Sequence, residues 1–148
     1  MSEAEAILRP TREADPHAYA LRPVEFAVEV LGVNTLTADQ QHILEALHRP
    51  PYRVLVPSAH DTGKSFSAAV AALYWYYSFD LGLVLTTAPT EKDVIDILWA
   101  EIRTLAQRAG LRPPFIGPKA PEICDHENHY AKGYVSRLNQ GFQGRHRP

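Results

Sequence analysis

The sequence predicts an α/β fold in which a parallel sheet is flanked by helices and left incomplete on one side. Three observations predict it. Short apolar, partly β-branched runs at residues 52–56 and 81–87 read as strands. An Ala-rich apolar run from residue 64 to about 77 lies between them and reads as a buried helix. A further helix follows the second strand, so the order is strand, helix, strand, helix, which argues a βαβ unit. Neither strand shows polar alternation, as expected of a sheet covered on both faces.

Each element has its own signals. Residues 1–20 mix charges with Pro10 and Pro16, show no period, and read as a loose arm. The remainder, 21–148, reads as one domain or most of one. Pro23 opens a short helix running to Val30 and closed by Gly32. Thr37 and Gln40 form a capping-box pattern, and Ile43, Leu44 and Leu47 then share a helical face. Arg49-Pro50-Pro51 ends that helix. A polar loop from Ser58 to Gly63 joins the first strand to the Ala-rich helix. Thr90 caps the next helix, with Glu91 and Asp93 in its first turn where the dipole favours acids. Val94, Ile97, Leu98, Ile102 and Leu105 are its expected apolar face, and Gly110 ends it. Residues 112–132, rich in Pro, Gly and His, read as an excursion. A third strand is expected at 134–138.

Composition narrows the function classes. The chain has 148 residues, 45% hydrophobic and 22% charged, which excludes a mainly disordered protein. One cysteine, Cys124, excludes an internal disulfide framework. No apolar run is long enough to span a bilayer, and the N-terminus lacks a signal-peptide core, so the expectation is a cytoplasmic protein without a membrane partner. The net charge of −2 gives no overall basic field. Residues 112–148 are nonetheless locally basic, with six Lys or Arg against three acids, and could face a polyanion.

The strongest motif is Ser58-Ala59-His60-Asp61-Thr62-Gly63-Lys64-Ser65, between an expected strand and an expected helix. The phosphate-binding loop G-x-x-x-x-G-K-[ST] needs that context. Its backbone amides and helix N-terminus offer donors and a positive dipole end to phosphate. Ser58, His60, Asp61, Thr62 and Gly63 would line the nucleotide. Lys64 would reach the β- and γ-phosphates, and Ser65 would place a hydroxyl on Mg²⁺. Ser58 departs from the first glycine of the pattern. On this motif the fold is of P-loop NTPase type, with ATP and Mg²⁺ as cofactors. Two weaker signals accompany it. Thr86-Thr87-Ala88-Pro89-Thr90 ends the second strand, where ligands of open α/β sheets sit, although Thr90 also serves as a cap. Gln40 carries a donor and an acceptor suited to adenine, although its capping role explains it equally.

Leu36 to Gln40, Ser58 to Ser65, Thr86 to Thr90, the segment Leu98-Trp99-Ala100-Glu101-Ile102-Arg103 and Gly141-Phe142-Gln143-Gly144-Arg145-His146 together resemble the N-terminal ATPase region of phage terminase large subunits. The resemblance covers roughly residues 25–148. It implies an ATP-driven motor that packages double-stranded DNA in a phage-infected or prophage-bearing cell, with the portal and small terminase subunit as partners. Lys64 and Ser65 match the phosphate- and magnesium-binding pair, and Gln40 matches an adenine-contacting glutamine. Thr87, Thr90, Gln143 and Arg145 are implied in coupling or DNA contact. The loop arginine found in many terminases is missing between Ser58 and Ser65, and His60 substitutes for it poorly. No apolar strand ending in Asp-Glu follows, so the catalytic acids have no counterpart here. The expectation is the first half of an ATPase domain, completed by a C-terminal half or by another copy.

Two other functions fit parts of the pattern. A helicase-like DNA translocase shares the phosphate loop and the strand-end threonines. A non-catalytic nucleotide-binding remnant fits the lack of catalytic acids. Cys124, His126 and His129 also form a C-x-H-x-x-H spacing that zinc could use, against the plainer reading of a polar surface loop. The run Tyr74-Trp75-Tyr76-Tyr77 reads as core packing and helix surface rather than a base-stacking platform.

Overall fold

The computed structural model describes residues 15–57 and 63–136. It is a mixed α/β structure: helices packed together and against one face of a three-stranded sheet. The end of the expected arm is ordered. Asp15 caps a turn of 3₁₀ helix, Pro16–Tyr19, by accepting from His17 N, and Tyr19 is buried edge-on against Phe26. The rest of the arm, residues 1–14, lies outside the described residues.

Helix α1 starts as Pro23–Glu25 and continues with π geometry over Phe26–Val30. Helix α2, Ala38–Ala46, carries the capping box expected from Thr37 and Gln40. Helix α3 spans Lys64–Ser78 and buries Val70, Leu73, Tyr74 and Tyr76. Strand β1 is Leu83–Ala88. Helix α4 begins with π geometry over Asp93–Trp99 and becomes regular over Ala100–Arg108. Strands β2, Glu122–His126, and β3, His129–Val135, close the described fold.

The sheet order is β1-β3-β2, with β1 and β3 parallel and β2 and β3 antiparallel. The expected all-parallel sheet is therefore corrected to a mixed one. The segment read as an excursion supplies β2, and the third strand lies earlier than 134–138. Its residues pair because a two-residue turn at Glu127 and Asn128 folds β3 back onto β2, where the Pro- and His-rich composition had masked the alternation.

The expected first strand does not form. Residues 52–57 pair with no strand, and Leu55 is 90% exposed. A strand is stabilised by its neighbours rather than by propensity alone. Among the described residues β1 has β3 on one side and no strand on the other, and residues 52–57 do not dock there. Tyr52 also takes a left-handed φ of 60°, which breaks the extended path at its start.

Helix α4 covers one sheet face. Trp99 Nε1 donates to Thr86 Oγ1 at 2.9 Å. Gly133 lets the helix approach: a Cβ there would lie 2.6 Å from Trp99 Nε1 and 2.7 Å from Val94 Cγ1. The π turn corrects the expected apolar face. Its i→i+5 bonding rotates the residues that follow, so Trp99 is buried and Ile97 is exposed, while Val94, Ile102 and Leu105 point inward as expected. On the other sheet face Leu83, Leu85 and Thr87 are exposed, so the strand alternates after all, contrary to the reading of a sheet covered on both faces.

Arg103, part of the segment that carries the family resemblance, has an architectural task. Its Nη2 donates to the carbonyls of Gly117 and Ala120 at 2.8 and 2.7 Å, and its guanidinium lies over Phe115. It thereby ties residues 115–120 to α4.

Candidate functional site

Gly63 is the N-cap of α3 and adopts φ 77°, the left-handed region that glycine reaches without cost. Its carbonyl accepts from Ser67 N at 3.0 Å, starting the helix. Lys64 and Ser65 follow as exposed residues of the first turn. At that turn the amide donors point outward and the positive end of the dipole is concentrated.

Gln40 is brought to this place by the capping box of α2. Its backbone N–H donates to Thr37 Oγ1 at 3.2 Å, and its Oε1 accepts from Thr37 N at 2.9 Å. With the oxygen held there, the amide nitrogen faces Gly63. A Cβ at Gly63 would sit 2.7 Å from Gln40 Nε2. The two roles weighed for Gln40 therefore coexist, in divided form. The cap takes the acceptor, and the donor remains at the helix start, so two-point pairing with adenine would cost the cap.

Gln40, Gly63 and Lys64 line a cleft of about 550 Å³ together with Asp39, His42, Arg53, Val54 to Pro57 and Ser67, whereas Ser65 does not line it. Ser67 Oγ is buried and has no hydrogen-bond partner among the described residues. Arg53 adds a second cation beside Lys64. The sequence offered no signal for Arg53, because the family's loop arginine lies between Ser58 and Ser65, whereas this one comes from upstream of the loop.

The other expected residues fall elsewhere. Ser58, His60, Asp61 and Thr62 lie outside the described residues, as do Gln143 and Arg145. Thr87 is exposed on the open sheet face, and neither Thr87 nor Thr90 lines the cleft. Thr90 Oγ1 accepts from Asp93 N at 3.1 Å and donates to Asp93 Oδ2 at 2.7 Å, so its hydroxyl is engaged in capping α4. Thr86 is engaged by Trp99.

The Cys124, His126, His129 set is also rearranged. The β2–β3 register shifts between Cys124 and His126, a bulge that disrupts the simple alternation of side chains. The Cys124 thiol turns to the His126 carbonyl, 3.7 Å away. Asp125 takes its place beside the two histidines.

No helix among the described residues is long and apolar enough to cross a membrane. Compared with known protein families, with curated sequences and with solved structures, the chain matches none.

Proposed function

We propose that the cleft at the start of α3 binds the phosphates of ATP and that the chain is the N-terminal part of a terminase-like, P-loop-type DNA-packaging ATPase. The observation that carries this reading is that Gln40, from α2, meets the Gly63-Lys64 start of α3. The sequence motif picked out the last two and the resemblance the first. Lys64 and Arg53 supply charge for phosphate, the α3 amides supply donors, and Gln40 Nε2 offers one hydrogen bond to the base or ribose. Mg²⁺ would be met by Ser65 and by oxygens of the nucleotide itself. ATP supplies the scissile phosphoanhydride. The residues of this cleft bind and orient it.

The test is ATP binding and turnover by the purified chain, with and without double-stranded DNA, against Lys64→Ala. Losing a charged hydrogen bond of about 1.5–3 kcal/mol weakens binding roughly 10- to 150-fold. Because Lys64 is exposed, the variant keeps its fold. Turnover stimulated by DNA supports the motor. Binding without turnover reduces the reading to a nucleotide-binding module. Equal affinity in wild type and Lys64→Ala rejects the cleft.

A further inference from the structure

At the opposite end of α3, a second group of side chains converges. One donor atom each from Asp125, His126 and His129 lie within 4.8 Å of one another at the β2–β3 turn. The three differ in freedom. His129 is held: its Nε2 bonds the Tyr76 carbonyl at 2.7 Å, and its ring stacks on the Tyr76 ring at 4.2 Å and 7°. The Tyr76 carbonyl lies in the last turn of α3, where carbonyls have no partner within the helix. It can only accept, so Nε2 carries a proton and Nδ1 is the ring atom that can take a metal. Nδ1 lies 3.6 Å from Asp125 Oδ2. Asp125 and His126 are exposed at the end of β2, so their side chains have room to adjust.

We infer that Asp125, His126 and His129 form a site for a divalent transition cation of the zinc class. Two imidazoles and one carboxylate are a donor set that such ions take, with a fourth position left to water. The bond from His129 to a backbone carbonyl is the outer-shell support that ligating histidines show. Tetrahedral bonds of about 2.0–2.1 Å place ligand atoms roughly 3.3 Å apart. The exposed Asp125 and His126 close that difference around the fixed His129. The ion would clamp the β2–β3 turn to the end of α3. It is independent of the nucleotide cleft.

The test uses the metal-free chain, titrated with Zn²⁺ alone by calorimetry and with Co²⁺ by visible absorption. One Zn²⁺ per chain and a tetrahedral Co²⁺ spectrum are expected. His126→Ala and Asp125→Asn should each weaken Zn²⁺ binding by more than the roughly 10–100-fold that loss of an outer-shell partner costs. Both side chains are exposed, so without metal these variants should unfold within about 0.5 kcal/mol of wild type. Zn²⁺ should raise the unfolding temperature of wild type and not of the variants. Cys124→Ser should bind as wild type does. Absence of one-to-one binding, binding retained in both variants, or binding lost in Cys124→Ser would each overturn the site.

Discussion

Gly63 is the residue on which the candidate cleft turns. Its left-handed φ and the nearby Gln40 amide make separate demands. Gly63→Ala should cost about 1–2 kcal/mol from backbone strain alone, with the clash against Nε2 added. Gln40→Ala in that background removes the clash but not the strain. The double-mutant cycle, read by denaturant unfolding, should therefore show a favourable coupling of about 0.5–3 kcal/mol. Strict additivity would mean that Gln40 and Gly63 do not touch. At this scale much of the site was legible. Gly-Lys-Ser after a polar loop, and Thr-x-x-Gln before an apolar run, are local patterns with local causes. Arg53 was not legible, because its neighbours in the cleft come from other parts of the chain, and Asp125 was not, because the register shift between Cys124 and His126 puts it in the place of the cysteine.

The helices are joined through Tyr74, the middle of α3. Its hydroxyl accepts from Leu21 N at 2.9 Å, next to the 3₁₀ turn, and shares a hydrogen bond with His48 Nε2 at 2.6 Å, just beyond α2. Burial pushes the Tyr74 phenol up and the His48 imidazole down from their ordinary values. Burial therefore favours the neutral form of His48. Tyr74→Phe strands the Leu21 N–H and should cost about 1–3 kcal/mol. The pH sign follows from His48. The unfolded chain takes up its proton near pH 6.5, above the folded value, so the stability is complete above about pH 6.5 and falls as pH drops below it. Denaturant unfolding between about pH 5 and 8 should show this slope, and His48→Gln should flatten it. A slope unchanged in His48→Gln would place its origin elsewhere. The π turn in α4 makes the same point about elements. The 3.6-residue period placed Ile97 inside, and one wide turn exchanged it for Trp99.

At the scale of the whole molecule, the sheet is covered on one face only among the described residues. Leu83 and Leu85 are 46% and 39% exposed on the other, and β1 is an edge strand among the described residues. An open apolar edge of this kind invites pairing between chains. Leu83→Lys should leave the unfolding free energy within about 0.5 kcal/mol while lowering self-association, as read by sedimentation velocity over a concentration series. Equal association in both chains would show that this face takes no part in it.

The sequence by itself determined what depends on a few consecutive residues: helices α1 to α4 with their caps, the strand β1 and the glycine ends. Those features follow from propensity, capping and apolar period, which act within a turn or two. The tertiary structure decided the rest. It left residues 52–57 unpaired although they look like a strand, made a strand of Glu122–His126 although they look like a loop, and ran β2 antiparallel to β3. Strand formation needs a partner across the ladder, and that partner is another segment, close in sequence for the β2–β3 hairpin and distant for β1 and β3, so the strand's own residues do not settle it.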